Sequence, residues 1–219
     1  MSQAPHDDLA HIRSLMERST RFISLSGLSG VVAGVVALGG AWRAGVYVRT
    51  STTPARDPLT YSLMRGDQHY ADLVTDLIVL GMAVLLLALI GAFWFTWRRS
   101  KRMGQGLWDR TARRLLWNML IPLAAGGLFC IALFAYGLPG LVAPATLIFY
   151  GLALVNASKY TLEEIRWLGL SELALGLLSL CWPGAGLLFW ALGFGVLHIL
   201  YGGVMWSRHE RGGNTDRTA

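Results

Sequence analysis

Charge is scarce in this chain. Only 15% of its 219 residues are Asp, Glu, Lys or Arg, whereas 54% are hydrophobic and the mean hydropathy is +0.47. Soluble domains carry about 25% charged residues, so the deficit excludes that class and points to a polytopic membrane protein. Cysteine is also sparse. Cys130 and Cys181 lie inside apolar runs without metal-ligand spacing, and each reads as a small hydrophobe. There is no glycine-rich phosphate loop, no His/Cys/carboxylate cluster at metal spacing and no soluble domain. ATP-driven work and metalloenzyme chemistry therefore lack a carrier, and no cofactor or metal is expected. The net charge of +6 does not indicate nucleic acid, because the basic residues sit in short segments between apolar stretches, as topology signals do.

What is present is apolar length. Six stretches, about 22–47, 73–97, 115–136, 141–158, 166–182 and 186–206, are long enough for roughly 30 Å of hydrocarbon. The expected fold is an all-α, six-helix transmembrane bundle spanning 22–206. It is preceded by an amphipathic interfacial segment over 1–21 and followed by a disordered tail over 207–219. Fifteen of the Lys and Arg residues fall on the side of both termini, and only Arg43, Arg49, Arg56 and Arg65 on the other. The positive-inside bias thus places both termini in the cytoplasm. The one long outer connection, about 48–72, reads as an ordered lid or a short interfacial helix. Thr161 and Glu164 have the spacing of a capping box ahead of the fifth span.

Small residues recur within the spans. Ser26, Gly30 and Gly34 repeat every four residues, as do Ala33, Ala37 and Ala41. Such strips let helices approach closely, inside the bundle or in a homo-oligomer. "GLSGVVAGVVAL" at 27–38 matches "GLSELALGLLSL" at 169–180, and "LIFYGLALVNAS" at 147–158 matches "LLFWALGFGVLH" at 187–198, a pattern consistent with three pseudo-repeated hairpins. "GLSG" at 27–30 also has the form found around the nucleophile of some intramembrane proteases. An intramembrane serine hydrolase would use Ser29 with His198 as its base. The resemblance to rhomboid proteases covers few residues, further oxyanion donors are missing, and close packing is the better account of Ser29.

Four polar residues are harder to assign to packing: Asn118, Asn156, Glu172 and His198, all in the cytoplasmic half. Glu172 shares a face with Gly169, Gly176 and Ser179, and His198 with Ala191, Gly195 and Gly202, which turns both toward the bundle interior. An ionisable residue at such depth is a functional-site hypothesis. The spacing from the Pro183-Gly184 turn predicts that Glu172 and His198 approach each other.

Two readings follow. One is a small transporter or proton-coupled carrier with this cluster lining a cavity, taking a small molecule or proton as substrate. The other is a non-catalytic sensor or scaffold that uses the arginine-rich 98–114 segment to hold a cytoplasmic partner or anionic lipid. In both the constant partner is the lipid bilayer.

"MERSTRFISLSGLSG" at 16–30 and "APATLIFYGLALVNASKYT" at 143–161 resemble stretches of an uncharacterised bacterial inner-membrane protein family. The resemblance implies a six-span protein of the bacterial cytoplasmic membrane and implies no activity.

Overall fold

In hydrocarbon a backbone N–H or C=O has no partner but its own chain, so long apolar runs fold as helices. A computed structural model describes residues 26–51, 68–104, 108–182 and 184–210. Among the described residues there are six helices and no strand. They are α1 (Gly27–Ser51), α2 (Gln68–Met103), α3 (Arg110–Ala135), α4 (Val142–Ala157), α5 (Glu163–Leu180) and α6 (Gly186–His209). Five, all but α5, are long and apolar enough to cross a membrane, α4 with its flanking 3-10 turns. The fifth helix has 18 residues and carries Glu163, Glu164, Arg166 and Glu172. The segment 1–21, the tip of the 48–72 connection and the tail beyond Glu210 lie outside the described residues.

Local sequence sets the helix ends. Asp109 caps α3, its carboxylate accepting from the Ala112 N–H at 2.6 Å. The same helix closes with Gly137 at φ 73°, a left-handed position where a side chain would be strained. The Gly137 and Leu138 N–H groups bond back to Phe134 and Leu133, and Pro139 prevents continuation. Helix α5 departs from expectation, because Leu162 is its N-cap residue and offers no side-chain bond, so Thr161 stands one position ahead of the cap. The last helix runs to His209 rather than ending at 206, and Glu210 beyond it is hydrogen-bonded.

Glycines decide which helices touch. On α1, a Cβ at Gly34 would stand 2.6 Å from the Gly195 oxygen, and one at Gly30 would stand 3.3 Å from Gly202 Cα. On α5, a Cβ at Gly169 would stand 2.9 Å from the Gly151 oxygen of α4. The bundle centre is therefore α1 against α6 and α5 against α4, joined where α6 meets α5. Helix α2 lies outside α1 and α3 outside α4. The outer faces of these two flanking helices stay apolar and exposed, at Leu86, Ile90 and Phe93 and at Ile121, Leu128 and Ile131.

The matched segments do not pack equivalently. Gly27 and Gly169 occupy matched positions and both meet a neighbouring helix, but Gly27 meets Gly202 and Gly169 meets Gly151. The match over 147–158 and 187–198 pairs Gly151 with Ala191 instead.

Candidate functional site

The chain "ALGFGVL" at Ala191–Leu197 winds as a π-helix, one wide turn within α6. Wide turns of this kind insert an extra residue and free a backbone carbonyl from the regular ladder. Two glycines in the turn leave the backbone bare. A Cβ at Gly195 would run into Leu38 of α1, and one at Gly193 would run into the Glu172 carboxylate and stand 2.5 Å from Leu147 Cδ2. The missing side chain is what admits Glu172 from α5 against the backbone of α6.

His198 follows the wide turn directly. Its Nδ1 lies 3.1 Å from the Gly193 oxygen and 3.2 Å from Oε1 of Glu172, and its Nε2 lies 2.9 Å from the Tyr150 hydroxyl of α4. A carbonyl oxygen only accepts, so we assign the Nδ1 proton to the bond with Gly193. In the neutral ring Nε2 then accepts from the Tyr150 hydroxyl, and in the cationic ring it donates to that oxygen. Because the Nδ1–H is aligned with Gly193, the carboxylate meets the ring by charge and proximity. Neither Glu172 oxygen has an aligned hydrogen-bond donor among the described residues.

The environment is buried and aromatic. Glu172 is 0% exposed and His198 6%. The imidazole packs against Tyr150, 5.4 Å away by ring centroid, and Phe194, 5.9 Å away and nearly parallel at 20°, two rings that also touch each other at 4.9 Å. Phe194 is itself backed by Trp190 at 5.0 Å. An isolated carboxylate in such surroundings is costly to ionise, and a facing imidazolium lowers that cost. The pair therefore has two ways to carry one shared proton, as imidazolium with carboxylate or as two neutral groups. Glu172 lies nine residues into α5 and His198 eleven before the end of α6, placing both about 14–16 Å from the helix ends they share. Ser179, seven residues on from Glu172 and on the same face, is buried with its hydroxyl unpartnered among the described residues.

The four expected polar residues divide into two pairs. Glu172 and His198 meet as expected. Asn118 and Asn156 form a separate tie between α3 and α4: the Asn156 amide donates to the Asn118 carbonyl at 2.8 Å, and the Asn118 amide to that of Arg114 at 2.8 Å. Gly30 and Gly34 lie in the α1–α6 seam. Ser26 instead donates to the Glu210 carboxylate at 3.2 Å. Ser29 donates to the Ser26 carbonyl, while the His198 nitrogens are engaged by Gly193, Glu172 and Tyr150.

Two features were missed from sequence. One is Tyr150, whose signal was a single hydroxyl inside the apolar run "LIFYGLAL" one turn from Leu147 and Leu154. The other is a polar network where the helix ends gather. Glu210 accepts from the Gly27 N–H at 2.6 Å and pairs with Arg99 of α2 at 2.9 Å. Glu164 of α5 meets Arg208 at 3.5 Å and His209 at 3.2 Å. Burial pushes the Glu164 carboxyl up. Its own backbone N–H, His209 and Arg208 outweigh this and hold it below the ordinary carboxylate value.

Comparison with protein-family models, with curated proteins and with solved structures returned no match. The composition and five helices long and apolar enough to cross a membrane fit an integral membrane protein.

Proposed function

We propose that this membrane protein is a small proton-coupled carrier in which Glu172 and His198 hold the exchanging proton. The observation that carries the reading is the buried pair itself, 3.2 Å apart, set beside a π-helical turn about halfway along the helices. Intramembrane ionisable residues facing a bundle interior mark ion and proton pathways. Carriers commonly place such groups near the midplane beside interrupted helices. Here the interruption is the wide turn over Ala191–Leu197.

In this reading α5 is the sixth span, its four charged residues tolerated because three lie in the first turn and the fourth is paired. Both termini face the cytoplasm. Support comes from the gathered helix ends, which carry Arg98, Arg99, Lys101, Arg102, Arg110 and Arg113 among other basic residues, against Arg43 and Arg49 at the opposite ends. Exposed Trp94, Trp117 and Trp167 lie toward the basic ends, and Trp42 and Trp182 toward the others, in keeping with two interfacial belts. In this reading the membrane is a bacterial cytoplasmic one, which the resemblance of 16–30 and 143–161 favours.

A second reading, a membrane sensor or scaffold, is favoured by one observation: Glu172 has no exposure, so the site is closed in this conformation. Infrared difference spectra in reconstituted lipid, stepped between about pH 4 and 9, test the proton site directly. A carboxyl band present in the native protein and lost in Glu172→Gln is expected, and the absence of any Glu172-dependent band would reject proton exchange. Electrical recording from proteoliposomes across small amines, carboxylates and sugars then separates the readings. Currents that require Glu172 mean a carrier, and proton exchange with no current for any solute means the sensor.

A further inference from the structure

The connection between α4 and α5 forms a groove of about 540 Å³ lined by Val155, Ser158, Lys159, Thr161, Glu163 and Arg166. It lies at the basic end of the bundle, apart from the Glu172–His198 pair. Lys159, Glu163 and Arg166 are all exposed there. Glu163 and Arg166 stand three residues apart on one helix, a spacing at which opposite charges readily pair. Among the described residues they form no ion pair, and the Lys159 ammonium has only the Asn156 amide oxygen at 3.4 Å. One groove thus presents two cations and one anion with their bonding capacity largely unused. Exposed Trp167 adjoins Arg166, as aromatic residues do at headgroup depth.

We infer that this groove holds the headgroup of a phospholipid bearing a phosphodiester and a primary ammonium, that is, a phosphoethanolamine lipid. Lys159 and Arg166 take the phosphate oxygens, Arg166 through the planar fork suited to them. Glu163 takes the ammonium. Val155, one turn up α4, continues the groove toward hydrocarbon, where acyl chains follow. A purely anionic headgroup would leave Glu163 facing negative charge, and a choline headgroup has no N–H to donate to it. The same chemistry exists in free phosphoethanolamine, and inorganic phosphate shares its anionic half, so the test must separate lipid from soluble sources.

Native mass spectrometry of the full chain, released from detergent with titrated phosphatidylethanolamine, phosphatidylglycerol or phosphatidylcholine, reads the bound lipid. The native protein is expected to retain phosphatidylethanolamine in preference to both others. Lys159→Ala with Arg166→Ala should lower that occupancy about tenfold, and Lys159→Arg should preserve it. Glu163→Gln should keep phosphatidylglycerol binding and abolish the preference for phosphatidylethanolamine over it. Unchanged melting temperatures of these exposed-site variants confirm folding. Equal phosphatidylethanolamine occupancy in the double variant, or an intact preference in Glu163→Gln, overturns the site. Displacement of lipid by equimolar free phosphoethanolamine or inorganic phosphate overturns its assignment to a lipid.

Discussion

The carbonyl oxygen of Gly193 lies 3.1 Å from Nδ1 of His198, five residues further along the same helix. That carbonyl belongs to the π-helical turn, and the imidazole bonds to it. This tether fixes the ring so that its opposite nitrogen faces Tyr150 and its edge faces Glu172.

Gly193→Ala should therefore act on the site and not only on the helix. The added methyl meets the Glu172 carboxylate and Leu147, and overpacking of this kind costs about 1–3 kcal/mol. Gly203→Ala is the control, since nothing lies within 4 Å of its Cβ position and alanine favours helix by about 1 kcal/mol over glycine. Reversible unfolding in mixed micelles compares the two, and equal stabilities would mean that α6 has no fixed register at Gly193.

Glu172→Gln and His198→Gln should each destabilise the protein by about 3 kcal/mol, because each leaves the other buried group without its partner. The double variant should cost clearly less than the sum of the singles, since the two side chains are in contact. Additive losses in the same unfolding measurement would show the pair to be uncoupled.

Close approach at the α1–α6 seam is separable from the serine chemistry of "GLSG". Gly202→Ala places a methyl 2.8 Å from the Val31 nitrogen and should weaken the seam by about 1–3 kcal/mol. Ser29→Ala removes one bond to the Ser26 carbonyl and should cost about 1 kcal/mol or less. Proximity labelling between cysteines introduced on α1 and α6 follows the seam. A larger loss in Ser29→Ala than in Gly202→Ala contradicts the packing account.

Acid should loosen the α5–α6 tie at the basic face. Glu164 titrates below its ordinary value of 4.5 in the folded protein, so its contribution is complete above that value and fades as pH falls through the depressed one. Glu164→Gln should flatten that acid limb of the stability profile and leave the limb above pH 6 unaltered, as read from melting temperature against pH.

The sequence made the helices legible because hydrocarbon admits little else: the apolar runs at 22–47 and 186–206 became α1 and α6 with shifted ends. Glu172 and His198 were found for a related reason, since ionisable residues stand out in apolar runs and glycine faces show which way they point. The split between Asn118–Asn156 and Glu172–His198 was not legible, because it depends on α5 lying along α4 and on α3 lying outside it. Nor was the wide turn in α6. "ALGFGVL" is compatible with an ordinary helix, and the extra residue sits where Glu172 and Leu147 lie against bare backbone. Ser26 and Glu210, 184 residues apart, carry no sequence signal of their partnership.

That last contact bears on the order of assembly. Glu210 supplies the acceptor for the first N–H of α1, yet it is synthesised after every helix described here. Until α6 and Glu210 are in place, that amide and the Ser26 hydroxyl must take other partners. The α1–α6 contact is thus completed only after the rest of the described chain has been made. A chain stopped at Trp206 would keep its glycine seam and lack the carboxylate that meets the first turn of the first described helix.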